Sequence, residues 1–198
     1  MRLFIAIDLA EPVRSALAEV QERLAHTRAA VRWVSPSHYH ITVKFLGETD
    51  DALLPQIAAR LSRAAEQAPP VALEVEGLDR LPLKGQPRAI IAHALSRDHH
   101  LTRLHRLIDS GIGGLGLPMD TRELLPHLTL GRVSSNHGLN KLLRLLPKYE
   151  FHPFGRFDVT ELRLYRSTLG AAGPGTPPRY DRLHSAKMAA VPDDAGRV

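Results

Sequence analysis

His40-Ile41-Thr42-Val43-Lys44-Phe45-Leu46-Gly47 and, far downstream, His127-Leu128-Thr129-Leu130-Gly131-Arg132 say nearly the same thing. Each is a His-x-Thr triplet in an apolar, alternating run. In a strand, residues two apart project from one face, ~7 Å apart along it. Each triplet therefore pairs an imidazole that titrates near neutral pH with a hydroxyl able to bond a phosphoryl oxygen. Two such pairs facing each other would surround one phosphate, a layout suited to acid–base chemistry on a phosphate ester.

Alternation predicts which side of each strand is wet. In the first stretch Ile41, Val43 and Phe45 form an apolar face, and His40, Thr42 and Lys44 a polar one. In the second, Leu128 and Leu130 oppose His127 and Thr129. Strict parity turns Arg132 away from the histidines; a bulge or twist at Gly131 would re-aim it.

The paired motifs resemble the 2H phosphoesterase superfamily. Their flanks look like its RNA 2′,3′-cyclic phosphodiesterase branch, historically called 2′-5′ RNA ligase. Supporting stretches are Arg2-Leu3-Phe4-Ile5-Ala6-Ile7-Asp8-Leu9, Val31-Arg32-Trp33-Val34-Ser35-Pro36 and Leu164-Tyr165-Arg166-Ser167. One departure is the long run from Gly170 to Tyr180, where members often carry a compact Gly-Pro-x-Tyr. The resemblance implies a bilobal α+β fold, two antiparallel sheets lining a central cleft with helices outside. It is expected to form a single domain over residues 1–185, with 186–198 a disordered tail.

The resemblance also implies a reaction. Opening a ribose 2′,3′-cyclic phosphate needs an activated water, a proton for the departing ribose oxygen, and neutralisation of charge on the phosphoryl oxygens. Two histidines meet the first two needs without a metal or cofactor. Release of the 3′ oxygen would leave a 2′-phosphate. We assign His40 as proton donor and His127 as acceptor, a polarity the motifs alone leave open. Thr42, Thr129 and Arg132 are the expected substrate contacts. Run backwards with a ribose 5′-hydroxyl, the same geometry would make a 2′-5′ linkage without ATP, and no phosphate-binding Gly-x-x-x-x-Gly-Lys loop is present. The expected partner is RNA ending in a 2′,3′-cyclic phosphate. A small cyclic phosphate, such as ADP-ribose 1″,2″-cyclic phosphate or a cyclic nucleotide, is the alternative. A module that binds RNA without turnover fits less well, because both histidines and both threonines are present.

Composition narrows the classes. At 198 residues and 43% hydrophobic content, the chain can bury a substantial core. It has no cysteine, which removes disulfides, thiol nucleophiles and thiolate zinc sites, and fits a reducing compartment. With no long apolar run or leader pattern, the expectation is a cytoplasmic monomer without membrane contact. Lys and Arg balance Asp and Glu at 12 against 12 in residues 1–100 and stand 14 against 9 in residues 101–198, so the +5 excess lies in the second half. An anionic partner is one reading, and arginine scattered over solvated faces is the other.

The element order alternates. Strands are predicted at 2–9, 31–35 and 39–46, then 71–75 and 88–92, then around His127, and at 149–158, 160–167 and 179–184. Helices are predicted at 11–26, 50–67, 98–110 and 139–146, with a glycine-rich break at 111–116. His38-x-His40 resembles half a zinc site but lacks a third ligand at a recognisable spacing. His99, His100 and His105 read as surface or partly buried residues. Trp33 and Tyr165 read as core aromatics, with base stacking as the alternative.

Overall fold

The apolar run Leu3–Ile7 is buried on both faces, each residue at 3% exposure or less, and such a strand belongs in the middle of a sheet. In the computed structural model, which describes residues 1–121, 123–168 and 178–189, that is where it lies. The strands are β1 (Arg2–Asp8), β2 (Val31–Trp33), β3 (His40–Glu48), β4 (Val71–Leu81), β5 (Ala89–Leu95), β6 (His127–Val133), β7 (Pro153–Val159), β8 (Glu161–Thr168) and β9 (Arg179–Lys187). Their order is β7-β4-β5-β6-β3-β1-β8-β9, every pairing antiparallel, with β2 also on β6. The helices are α1 (Glu11–Ala25), α2 (Leu54–Gln67), α3 (His100–Gly113) and α4 (Leu139–Leu143). Ile57 and Leu61 of α2 and Leu101, Leu104 and Ile108 of α3 share one core cluster with Ile41 and Leu128. These helices therefore cover the side of the sheet away from His40 and His127. The α+β class agrees with the expectation, while the two expected antiparallel sheets are the halves of one curled nine-stranded sheet.

Ladder pairing between β3 and β6 is reduced to one residue pair, Ile41 opposite Leu128. This bridge joins two lobes, β4-β5-β6-β7 and β1-β3-β8-β9. Ile41 and Leu128 are fully buried, so the residues flanking them in each strand point to the other face. The antiparallel register then sets His40 across from Thr129, and Thr42 across from His127.

Strict alternation fails just beyond each motif, and it fails the same way twice. Ala6 pairs with Thr42 but Ile5 with Lys44, so Val43 is an extra residue. Val43 and Lys44 consequently both face the core, at 2% and 1% exposure, and Phe45 emerges at 64%. This reverses the predicted faces of Lys44 and Phe45. In β6, Thr129 pairs with Ile91 but Gly131 with Ile90, leaving Leu130 extra. Its carbonyl accepts from Val34 N–H at 2.8 Å and from Gln21 Nε2 at 2.9 Å, so the bulge is held from α1. Gly131 suits this position because a Cβ there would lie 2.5 Å from Val31 and 2.8 Å from Trp33.

A charge on the core side needs partners, and Lys44 has them. Its ammonium donates to Asp109 on α3 and to the Pro118 carbonyl, with Asp120 at 3.4 Å. Asp120 in turn meets His105 Nε2 at 2.9 Å. Burial opposes ionisation of Asp109, yet the Lys44 ammonium and the Asp120 amide outweigh it and hold the carboxyl below its ordinary value. The cluster pins the segment ahead of β6 to the strand carrying His40.

Other boundaries moved for identifiable reasons. Helix α3 runs to Gly113, through the start of the expected glycine break, because Ile112 is fully buried and Gly113 closely approaches Met119. Tertiary packing there outweighs glycine's poor propensity. Helix α4 stops at Leu143, short of the predicted 146, Leu146–Tyr149 forms a separate 3₁₀ turn, and the strand predicted from 149 begins at Pro153. Strand β9 continues to Lys187 and Met188 is 8% exposed, so core contacts extend past residue 185. Residues 190–198, most of the expected tail, lie outside the described residues, as does most of the Gly170–Tyr180 run. Among the described residues no helix is long and apolar enough to cross a membrane.

Candidate active site

Both motif histidines are oriented by the same local bond. His40 Nδ1 lies 2.8 Å from the carbonyl of His38, and His127 Nδ1 lies 2.8 Å from the carbonyl of Leu125. A carbonyl only accepts, so each Nδ1 carries hydrogen and donates. That leaves each Nε2 as the ring atom that can take or give a proton. The residue two positions ahead thus sets the tautomer of the histidine that starts each strand.

Thr42 and Thr129 flank the Ile41–Leu128 bridge on the same side as the imidazoles, and both are partly exposed. Arg132 is exposed, and its charge acts on both His40 and Tyr180. The β6 bulge has therefore re-aimed it towards the first lobe. All five expected site residues lie on one face of the sheet, around the junction of the two lobes.

His40 has an environment of its own. Its ring packs against Phe4 at 5.0 Å and meets Tyr180 edge-on at 5.3 Å. This burial pushes the imidazole below its ordinary value. The His38 carbonyl and the Asp8 charge pull upward, and the charges of His38 and Arg132 push further down. Asp8 is the direct cross-strand partner of His40. It is held by the Tyr165 hydroxyl, which donates to it at 2.9 Å, and by Arg163 at 3.3 Å. Burial and the neighbouring carboxylate push the Tyr165 phenol up to about 12.

Asp8, Phe4, Phe45 and Tyr180 were not singled out from sequence. An acid closing an otherwise apolar strand was the one available signal for Asp8; nothing local marks the others. Tyr165 is committed to Asp8 and stacked on Phe4 at 5.4 Å, and Trp33 lies against Gly131, so neither stands free as a platform. Phe45 is exposed on the same face and lies 6.2 Å from Phe4, the ring that packs on His40. His38 closes a 3₁₀ turn, with its ring 5.4 Å from Tyr180. His99 precedes α3 in a left-handed conformation, His100 Nδ1 meets the Pro70 carbonyl, and His105 is buried on Asp120.

Comparison with known proteins places nearly the whole chain among relatives. A profile of the LigT-like phosphoesterase family matches residues 7–91 and 95–175. A Methanocaldococcus jannaschii protein named RNA 2′,3′-cyclic phosphodiesterase is 33% identical over 174 residues, covering 88% of this chain and 95% of the relative. One of the same name from Archaeoglobus fulgidus is 32% identical over the same shares. Among solved structures, the Thermus thermophilus protein TT0787 superposes with a TM-score of 0.78 at 29% identity, covering 95% of this chain and 98% of the other. Escherichia coli LigT complexed with 3′-AMP has a TM-score of 0.74 at 22% identity over 96% and 98%, a likeness of fold.

Proposed function

This chain belongs to the LigT-like phosphoesterase family, and from that premise we propose that it hydrolyses the 2′,3′-cyclic phosphate at an RNA end. The observation that carries the reading is the Ile41–Leu128 bridge, which brings two imidazole–hydroxyl pairs to one open face. The names of the relatives support the substrate class.

In the proposed step His127 Nε2 removes a proton from water as the water oxygen bonds to phosphorus. The bond from phosphorus to the ribose O3′ breaks, and His40 Nε2 gives that oxygen its proton. The product is a 2′-phosphate with a free 3′-hydroxyl. Thr42, Thr129 and Arg132 neutralise the nonbridging oxygens, where charge gathers in the transition state. Burial makes His40 harder to protonate in the free enzyme than an exposed imidazole. An anionic phosphate beside it reverses that preference, so the acid is loaded by substrate. No metal is required, and the reverse reaction with a 5′-hydroxyl in place of water would join RNA ends 2′-5′.

The exposed Phe45 ring offers a face for the base attached to the reacting ribose. The direct test is hydrolysis of an oligoribonucleotide ending in a 2′,3′-cyclic phosphate, with the product's phosphate position identified. His40→Ala and His127→Ala should each lower turnover by ~10²–10⁴-fold with the fold retained, since general acid–base catalysis by one group is typically worth that much. A variant keeping more than about a third of wild-type turnover removes that histidine from the mechanism.

A further inference from the structure

Helices α2 and α3 run side by side on the outer surface, and between them lies a groove of about 420 Å³. Arg60 and Arg63 line one wall, and Arg103 and Arg106 the other. Each pair is three residues apart on its helix, so the guanidinium groups form two rows facing one channel. Among the described residues no acid lines it. Among the described residues, too, none of the four arginines lies within 4.0 Å of a carboxylate.

Each of these helices carries a single acid, and neither lines the groove. The acid of α3, Asp109, turns into the core onto Lys44, and that of α2, Glu66, is not among the groove's lining residues. Like charges at this spacing destabilise helices unless something anionic lies between them. A second basic groove, lined by Arg28, Lys141 and Arg144, has a simpler account. Its cations cluster at the C-terminal ends of α1 and α4, where helix dipoles favour positive charge. Arg60, Arg63, Arg103 and Arg106 lie inside their helices and have no such account.

We propose that the α2–α3 groove binds the sugar–phosphate backbone of single-stranded RNA, as a site separate from the catalytic cleft. This rests on the reading that the substrate is RNA. Guanidinium forks match phosphate oxygens in pairs, and two facing rows suit successive phosphates of one strand. Among the described residues no aromatic lines the groove, so bases are not stacked and binding is independent of sequence. An anionic membrane surface fits less well, because none of the exposed large hydrophobic residues described lies on α2 or α3. The sheet and its helical cover separate the groove from the histidines, so a mononucleotide in the cleft cannot reach it while a long RNA can.

The test uses the full chain and a labelled single-stranded RNA of about 30 nucleotides ending in a 3′-hydroxyl, comfortably longer than typical single-strand sites. Binding is measured by anisotropy from about 50 to 200 mM salt for wild type and for the variant Arg60→Gln/Arg63→Gln/Arg103→Gln/Arg106→Gln. The variant should bind at least ~10-fold more weakly at low salt, and its log–log salt slope should be shallower by up to about 3, at ~0.7 per lost contact. Hydrolysis of a mononucleotide 2′,3′-cyclic phosphate should not change. Arg103→Gln/Arg106→Gln alone, which leaves α2 untouched, should remove roughly half of that slope difference. Equal affinity and slope in wild type and both variants overturn the proposal. So does loss of binding to anionic lipid vesicles with RNA binding intact. If the wild type hydrolyses no cyclic phosphate while the slope still falls, the catalytic reading fails and the groove stands.

Discussion

Phe45 and Arg132 hold the same place in the two motif strands: each is the third residue beyond its threonine, and each is returned to the cleft face by a bulge. Val43 with Lys44, and Leu130 with Gly131, both face inward, which costs one residue of alternation in each strand. The first lobe thereby presents an aromatic ring on the cleft face and the second a guanidinium. One suits a base and the other a phosphate.

Replacing Phe45 should separate binding from chemistry. Stacking one base on an aromatic is worth ~1–3 kcal/mol, so Phe45→Ala should raise KM for cyclic-phosphate RNA roughly 5- to 150-fold with kcat nearly unchanged. The ring is 64% exposed, and its removal leaves no core cavity. An unaltered KM would show that the base does not rest there.

Asp8 gives a handle on which histidine is the acid. Its charge raises the His40 pKa against the lowering effect of burial, so Asp8→Asn should bring that value down further. If His40 is the donor, activity requires its protonated form, and the alkaline limb of the kcat/KM profile moves to lower pH. If His40 is instead the acceptor, the acidic limb moves down and activity widens towards acid. A profile with both limbs unmoved would mean that Asp8 does not act on His40 in the working enzyme.

The Lys44–Asp109 pair should be structural. Lys44 has a fully buried side chain and that of Asp109 is 10% exposed, so Lys44→Ala strands a carboxylate in the core and should cost ~3–5 kcal/mol in urea unfolding. Lys44→Met with Asp109→Leu should recover most of it. Because the folded Asp109 pKa is lowered, this contribution is present above the unfolded carboxyl's value and lost as pH falls through the folded one. Wild type should therefore lose its stability advantage over Lys44→Ala in acid. A loss below ~1 kcal/mol at neutral pH would rule the pair out as an anchor.

Metal independence has its own measurement. Turnover should persist in excess EDTA, and elemental analysis of active protein should find no stoichiometric zinc. Activity lost to chelator and restored by a divalent ion would return the His38-x-His40 pair to consideration as ligands.

Which residues could do chemistry, and which elements carry them, was legible in the order of amino acids. His-x-Thr in a period-two run puts an imidazole and a hydroxyl on one face whatever surrounds the strand, and the spacing of Val13, Leu17, Val20 and Leu24 buries one stripe of α1 in any fold. These are local rules, readable in a window of a few residues. It took the folded chain to show that the two motifs cross at Ile41 and Leu128, that Asp8 lies beside His40, that Phe45 and Arg132 turn into the cleft, and that α2 and α3 align four arginines. Each of those depends on the register between segments distant in the chain. A bulge leaves the hydrophobic pattern almost unchanged yet reverses every side chain beyond it, so which pattern wins is set by tertiary partners such as Gln21 of α1 and Trp33 of β2 rather than by the strand's own period.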